Sequence, residues 1–264
     1  LVLISPAIGI TRLAAIGRIR TGLSDLQGFG RAAWQLIEAE VDPYKYQSFS
    51  FNAAGATQRL TSGLSRRIAA IASQGPVRDM PPILAFVSTV DSTVQVPAVI
   101  DSLLGRLAPE GHELVVFDVN RLSVVQPMLI ADPAPLTRRL LAQTQRPFAL
   151  TLITNASAST LQVAERRSSA LGTATTERPL DLAWPRNVFS LSHVALPFPP
   201  DDPLYGYAAP VTSRHVQLGR IEIRGENGVL NVPNWMLTRQ RSNPFHAYLV
   251  ERIESFLAGA PQNQ

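Results

Sequence analysis

The sequence predicts an α/β fold with a mostly parallel sheet and helices on both faces, and three stretches carry that prediction. The run from Ile83 to Val87 is continuously apolar and follows Pro81-Pro82, which is typical of a strand buried on both faces. A helix is predicted from Val96 to Leu107, with apolar residues at helical spacing and a proline in its first turn. A second apolar run extends from Glu113 to Val119. Strand, helix and strand at this spacing form a βαβ unit, whose two strands are parallel.

Composition narrows the classes of protein to consider. The 264 residues are 45% hydrophobic, enough for one large domain. There is no cysteine, which excludes disulfides, thiolate metal sites and a cysteine nucleophile. The formal charge is +4, but the arginines are spread along the chain, so we expect no nucleic-acid partner. No apolar run approaches the roughly 20 residues of a membrane span, so we expect no integral membrane segment in this sequence.

The first strand is predicted at Leu1 to Ile4, closed by Ser5-Pro6. Residues 11–80 then form an excursion too long for a plain crossover between parallel strands. We interpret them as a helical cap or lid insertion, with an ordinary decorating insertion as the alternative. Helices are predicted inside this segment at Phe29–Val41 and Gln58–Ser73.

The second half of the chain has weaker patterns. Asn155 to Arg178 is polar and is interpreted as a surface segment. Hydrophobic periodicity predicts helices at Leu136–Thr144, Leu161–Arg167 and Pro244–Leu257, strands at Phe148–Thr154, Val188–Leu191 and Val216–Ile223, and a hairpin return at Val229–Val232.

Two residues at predicted strand ends suggest catalysis. Asp91 follows the strand that begins at Ile83, and His193 follows the short strand that ends at Leu191. In open parallel sheets the chemistry lies beyond the carboxyl ends of the strands. A serine nucleophile needs a histidine to remove its proton, and that histidine needs a carboxylate to hold its tautomer. Asp91 and His193 therefore have the types and the order of the last two members of a Ser, Asp, His series.

Each of these assignments has a structural alternative. Asp91 is also placed to cap the helix that follows it, and His193 is also compatible with a packed core histidine. Asp118 ends the neighbouring strand and is a rival acid, but its position before Arg121 favours an ion pair or a turn. The remaining polar candidates are assigned to surface, packing or turn positions: His112, His215, His246, Asp201 and Asp202.

No ligand cluster or nucleotide motif accompanies the pair. No group of histidines and carboxylates has metal-ligand spacing, so no metal site is expected. The sequence has neither a Gly-x-Gly-x-x-Gly motif nor a phosphate loop, so no nucleotide cofactor is expected.

Several segments resemble the α/β-hydrolase superfamily, in particular its bacterial esterase- and lipase-like serine hydrolases. The segment VSTVDSTV, which contains Asp91, resembles the acid-bearing turn, and FSLSHVALPFPPDDPLYG, which contains His193, resembles the histidine-bearing turn. The opening LVLISPAIG is similar to the strand that follows the nucleophile helix in that family. The resemblance implies an α/β-hydrolase fold, a carboxylic ester or lipid as small-molecule substrate, Asp91 as the acid and His193 as the base. From composition alone, we expect the cap to shape an apolar acyl pocket, since it is rich in aromatic residues: Phe29, Trp34, Tyr44, Tyr46, Phe49 and Phe51.

The nucleophile expected from this resemblance is absent from the sequence. No Gly-x-Ser-x-Gly occurs in the 264 residues. Ser5 ends a predicted strand, but Pro6 has no backbone N–H to donate to an oxyanion hole. Because the chain begins inside a predicted strand and without methionine, we interpret it as a C-terminal part of the fold whose serine lies in a preceding segment. The alternatives are a non-catalytic α/β-hydrolase-like binding module and a phosphotransfer fold, and the latter lacks a suitably placed lysine because Lys45 is the only one.

Overall fold

The computed structural model describes residues 1–9, 34–37, 44, 46, 48–91, 93–130, 132–172, 174–191, 193–210, 217–220, 225–226, 228–231 and 239–259. The chain divides into two compact units. The core unit comprises Leu1–Pro6, Pro76–Ser92 and Leu104–Gln264, and the second unit comprises Ala7–Gly75 and Thr93–Leu103.

The described residues contain eight strands, and six of them form the sheet of the core unit. In chain order the strands are β1 (Val2–Ile4), β2 (Trp34–Leu36), β3 (Phe49–Ser50), β4 (Leu84–Ser88), β5 (Glu113–Phe117), β6 (Ala149–Asn155), β7 (Gln162–Ser168) and β8 (Thr175–Ala183). The core sheet has the order β1-β4-β5-β6-β7-β8. Strands β1, β4, β5 and β6 are parallel, whereas β7 and β8 add an antiparallel edge. The predicted α/β fold with a mostly parallel sheet is confirmed.

The central strands have the apolar sequences that their burial requires. Every residue of β4 and β5 is buried, as expected where both faces of a parallel sheet are covered. Leu84 is paired with Glu113 and Ser88 with Phe117, so the two strands end level with each other. The turns that follow β4 and β5 therefore begin at the same edge of the sheet.

The C-terminal helix packs against one face of this sheet. The four described α-helices are α1 (Phe51–Ala72), α2 (Val96–Ser102), α3 (Ala134–Ala142) and α4 (His246–Leu257). Phe245, just before α4, stacks on Phe117 of β5 at a ring-centroid distance of 5.6 Å and meets Trp184 edge-on at 4.9 Å. All three rings are buried, so α4 is held to the sheet by an aromatic cluster whose members also gain from their offset and edge-on geometry.

The second unit contains a short β-ladder and two helices. Strands β2 and β3 pair antiparallel, and α1 begins directly after β3, where the Ser50 side chain accepts a hydrogen bond from Ala53 N (3.2 Å) as an N-cap. The predicted helix at Phe29–Val41 is wrong over Trp34–Leu36, because these residues are extended and pair with β3. The interpretation of residues 11–80 as a lid stays a prediction. Tyr44 and Tyr46 are exposed and Phe51 is buried, while Phe29 lies outside the described residues.

Two predictions in the second half of the core unit are wrong, and a third is wrong over the residues that are described. Leu161–Arg167 is not a helix, because Gln162–Ser168 forms β7 between β6 and β8. Val188–Leu191 is not a strand of the sheet; it is an irregular segment joined to the end of β5 by side-chain and backbone hydrogen bonds. Within the predicted strand Val216–Ile223, the described residues Leu218–Arg220 form a 3-10 turn. The last helix, predicted at Pro244–Leu257, is confirmed as α4.

Within the part of the chain described here, no helix combines the length and the apolar character needed to cross a membrane.

Candidate active site

Asp91 lies on a tight turn directly after β4. The turn is closed by the backbone hydrogen bond from Asp91 N to Ser88 O (3.3 Å), and Thr89 N just before it donates to Phe117 O of the neighbouring β5 (2.9 Å). The Asp91 side chain is only 1% exposed. A buried carboxylate at a strand end is costly unless a cation or hydrogen-bond donors face it.

His193 faces this carboxylate. Its Nδ1 atom lies 3.5 Å from Asp91 Oδ2, and its side chain is 32% exposed. The neighbouring Leu191 and Val194 are buried in the hydrophobic cluster of the core unit. The backbone on either side of His193 is therefore anchored while its ring remains accessible.

His193 and Asp91 have the residue types of a base and of the acid that orients it, and they lie near each other without reaching hydrogen-bond distance. A separation of 3.5 Å is longer than the usual hydrogen-bond range of about 2.7–3.2 Å and than the roughly 2.6–3.2 Å expected of a catalytic pair, although such pairs often tighten only with substrate bound. Nδ1 is the ring nitrogen of His193 that lies near Asp91, so Nε2, on the far side of the ring, is the one left to exchange a proton with another group. Chemically, the arrangement can accept and return one proton while the carboxylate stabilises the imidazolium.

A small hydrophobic cluster joins the acid turn to the histidine segment. Phe189, four residues before His193, packs with buried Val229 and Leu230, and Val90, the neighbour of Asp91, packs against the same cluster. The closeness of Asp91 and His193 thus follows from packing of their flanking residues and does not rely on the polar contact alone.

The carboxylate of Asp118, the alternative candidate acid, forms an ion pair with Arg121. Its carboxylate accepts hydrogen bonds from Arg121 Nε and Nη2 (both 2.8 Å), Val119 N (2.9 Å) and Thr154 Oγ1 (3.1 Å). Burial alone would lower the pKa of the Arg121 guanidinium, but its hydrogen bonds and charge interactions with Asp118 and Asp132 outweigh burial and raise it. The predicted pairing of Asp118 with an arginine is confirmed.

The other polar candidates have structural roles where they are described. Helix α2 begins at Val96 with Gln95 at its N-cap position, so Asp91 is not its N-cap residue. Asp202 Oδ1 accepts hydrogen bonds from Leu204 N (3.0 Å) and Tyr205 N (2.8 Å), as expected of a turn aspartate. His215 lies outside the described residues.

Two further histidine and serine positions are also accounted for. His112 is buried and its Nδ1 accepts a hydrogen bond from Ile83 N (3.1 Å). Ser5 has a left-handed backbone (φ 46°), but its Oγ is buried and bonds to no described residue. A nucleophilic serine on an elbow instead presents its hydroxyl at the surface of the sheet edge. Ser5 therefore lacks both the exposure and, because of Pro6, the oxyanion donor of a nucleophile.

Two buried asparagines near His193 were missed by sequence reasoning. Asn120 and Asn243 are 2% and 0% exposed, and each donates its side-chain amide to a backbone carbonyl of the segment around His193. For Asn243 the signal was the Asn-Pro pair just before a helix, which favours a turn. For Asn120 no sequence signal exists, because its partner is a backbone carbonyl.

Among the residues that the structure describes, no group of three or more histidine, aspartate and glutamate side chains is arranged to hold a metal ion. No family model, curated protein or solved structure matches this chain.

Proposed function

We propose that this chain supplies the acid and the base of a serine hydrolase of the α/β-hydrolase type, acting on carboxylic esters or lipids. The observation that supports the proposal is the 3.5 Å approach of His193 Nδ1 to the buried carboxylate of Asp91 at the carboxyl edge of a mostly parallel sheet. Burial of the acid beside a partly exposed imidazole is the asymmetry that such a pair needs, because only the base must reach the substrate.

In the proposed reaction, His193 Nε2 removes the proton of a serine hydroxyl as that oxygen attacks the ester carbonyl carbon. The same proton then passes to the leaving alcohol as the C–O bond of the ester breaks and an acyl-serine forms. Water, deprotonated by His193, attacks the acyl-serine and releases the carboxylic acid, and the proton returns to the serine. Asp91 keeps the His193 proton on Nδ1 and stabilises the imidazolium through both steps.

The proposal requires a nucleophile from another segment of the polypeptide, since these 264 residues contain no Gly-x-Ser-x-Gly. The missing elbow is the one observation that favours the second candidate, a non-catalytic binding module of hydrolase-like fold. The two candidates differ in whether the polypeptide turns over an ester and reacts covalently with a serine-directed reagent.

The experiment uses the polypeptide that carries this sequence together with its nucleophile segment. Hydrolysis of short-chain p-nitrophenyl esters and labelling by a fluorophosphonate are measured for the parent, for His193→Gln and for His246→Gln. We expect the parent and His246→Gln to hydrolyse the ester and take up the label, and His193→Gln to lose both. Normal ester turnover by His193→Gln would exclude it as the base, and a parent that neither hydrolyses nor labels would favour the binding module.

A further inference from the structure

The segment that carries His193 has little regular secondary structure to hold it. No described residue between Ala183 and Leu218 belongs to a helix or a strand of the sheet. The ring nevertheless has to stay beside Asp91 while it remains 32% exposed. Buried backbone groups without a ladder need other hydrogen-bond partners, and two buried asparagine side chains supply partners on either side of His193.

Asn120 holds the segment on the N-terminal side of His193. Its Nδ2 donates to Val188 O (3.2 Å), and its backbone N–H donates to Phe189 O (2.8 Å). Its Oδ1 accepts from Leu122 N (3.1 Å) and from Asn155 Nδ2 (3.0 Å). The residue thereby links the carboxyl ends of β5 and β6 to the irregular segment that leads to His193.

Asn243 holds the segment on the C-terminal side. Its Nδ2 donates to Val194 O (3.3 Å), the residue directly after His193, and its backbone N–H donates to Phe198 O (2.9 Å). Its Oδ1 accepts from Phe245 N (2.9 Å), at the entrance to α4. Because Phe245 is locked in the aromatic cluster of the core unit, Asn243 transmits the position of α4 to the histidine segment.

A primary amide carries the donor and the acceptor that these two positions need on two separate atoms. Each side chain donates from nitrogen to a carbonyl of the histidine segment and accepts at oxygen from the backbone N–H two residues later, Leu122 N or Phe245 N. A carboxylate has no proton to donate, and an apolar residue of the same size leaves a buried carbonyl and a buried N–H unsatisfied.

We propose that Asn120 and Asn243 are positioning residues that clamp the two backbone flanks of His193, so that its Nδ1 stays beside Asp91. The proposal deepens the proposed hydrolase function and rests on it for the consequence to catalysis, but the effect on the imidazole itself does not depend on turnover. Neither asparagine touches the reacting atoms.

The test removes the donated hydrogen bond with the smallest change of shape. Asn120→Asp and Asn243→Asp are the primary variants, and Asn120→Ala and Asn243→Ala remove the donor without burying a charge. Asn187→Asp is the matched control, because Asn187 is exposed. Thr151→Val serves as a control for lost stability, since it removes a buried hydrogen bond to Glu113 within the same sheet and leaves the histidine segment untouched.

The first readout is the tautomer of His193, from nitrogen chemical shifts in alkaline buffer with selectively labelled histidine. The sequence has four histidines, so His193→Gln assigns the signal. We expect the Nδ1-protonated form in the parent and both controls, and a mixture with the Nε2-protonated form in the clamp variants, because the carboxylate no longer faces Nδ1. The second readout is ester turnover, for which we expect kcat to fall about 100-fold with little change in KM.

The outcomes are distinguishable. Unchanged tautomer and unchanged kcat in folded clamp variants would overturn the clamp, and so would losses no larger than those of Thr151→Val at equal folded fraction. Failure of all four clamp variants to fold, with Asn187→Asp intact, would also overturn it, because the asparagines would then support the whole fold and not the ring. A parent without ester turnover would reject the proposed hydrolase, while the tautomer would still decide the clamp.

Discussion

At the scale of single residues, two buried aspartates at one sheet edge differ in what surrounds them. An ionised carboxylate has about four acceptor positions, and Asp118 uses them for two nitrogens of Arg121, for Val119 N and for Thr154 Oγ1. Asp91 instead faces the imidazole of His193. The first arrangement stabilises a turn, and the second is the one that we propose for catalysis.

We expect the free energy of unfolding to depend on pH through His112, which is not part of the Asp91–His193 pair. Burial lowers the pKa of His112 below its ordinary 6.5, despite the opposing effect of nearby Glu110. Its Nδ1 accepts a hydrogen bond from Ile83 N, which only an unprotonated Nδ1 can do. As the pH falls through 6.5, the unfolded chain takes up a proton that the folded chain resists. The free energy of unfolding therefore decreases on acidification, until the pH reaches the lower pKa of the folded state.

Urea unfolding between about pH 7.5 and about pH 5.5 measures this effect. We expect the parent to lose stability across that window and His112→Asn to lose less, with His246→Asn following the parent. An equal pH slope in the parent and in His112→Asn would rule out His112 as a source of the dependence.

At the scale of elements, the close packing of Phe189, which precedes His193, depends on the glycine at position 225. A Cβ added at Gly225 would collide with the aromatic ring of Phe189, and this ring is buried against Val229 and Leu230. Overpacking of this kind costs about 1–3 kcal/mol. Displacement of Phe189 would also disturb the residues that lead to His193.

We expect Gly225→Ala to lower the free energy of unfolding by about 1–3 kcal/mol in urea titration. Gly63→Ala is the opposite case, because Gly63 lies within α1 and a Cβ there meets no atom within 4 Å. That variant should gain about 0.5–1 kcal/mol through helix propensity. A neutral or stabilising Gly225→Ala would mean that Phe189 is not tightly packed.

Some strands could be predicted from the sequence and others could not. The difference depends on whether a strand is apolar throughout or carries charged side chains that pair with a neighbouring strand. Strands β4 and β5 are buried on both sides, so their uninterrupted apolar runs identified them. Strand β7 was mistaken for a helix because it carries charges, and its Arg166 is opposite Glu177 of β8 in an ion pair at 2.9 Å. Cross-strand partners of that kind satisfy a strand without the apolar alternation on which sequence reasoning depends.

At the scale of the whole molecule, the sequence predicts which two residues form the candidate pair. It does not predict the backbone path that brings them together. The carboxyl ends of parallel strands lie at one edge of the sheet. Asp91 is predicted at that edge because it follows a core strand. The irregular path that brings His193 there was not foreseen, since it depends on hydrogen bonds from Asn120 and Asn243 to backbone carbonyls. Backbone acceptors have no sequence signature, so such a path becomes visible only in the folded chain.

The most direct measurement of the proposed acid–base pair is kcat for ester hydrolysis by Asp91→Asn, in the polypeptide that includes the nucleophile segment. Asp79→Asn is the control, because Asp79 is exposed. An asparagine keeps the shape but neither holds the Nδ1-protonated tautomer nor stabilises the imidazolium, so we predict a fall in kcat of about 10⁴-fold, with KM little changed and Asp79→Asn normal. Ester turnover by folded Asp91→Asn at the rate of the parent would contradict the role of Asp91 and, with it, the proposed pair.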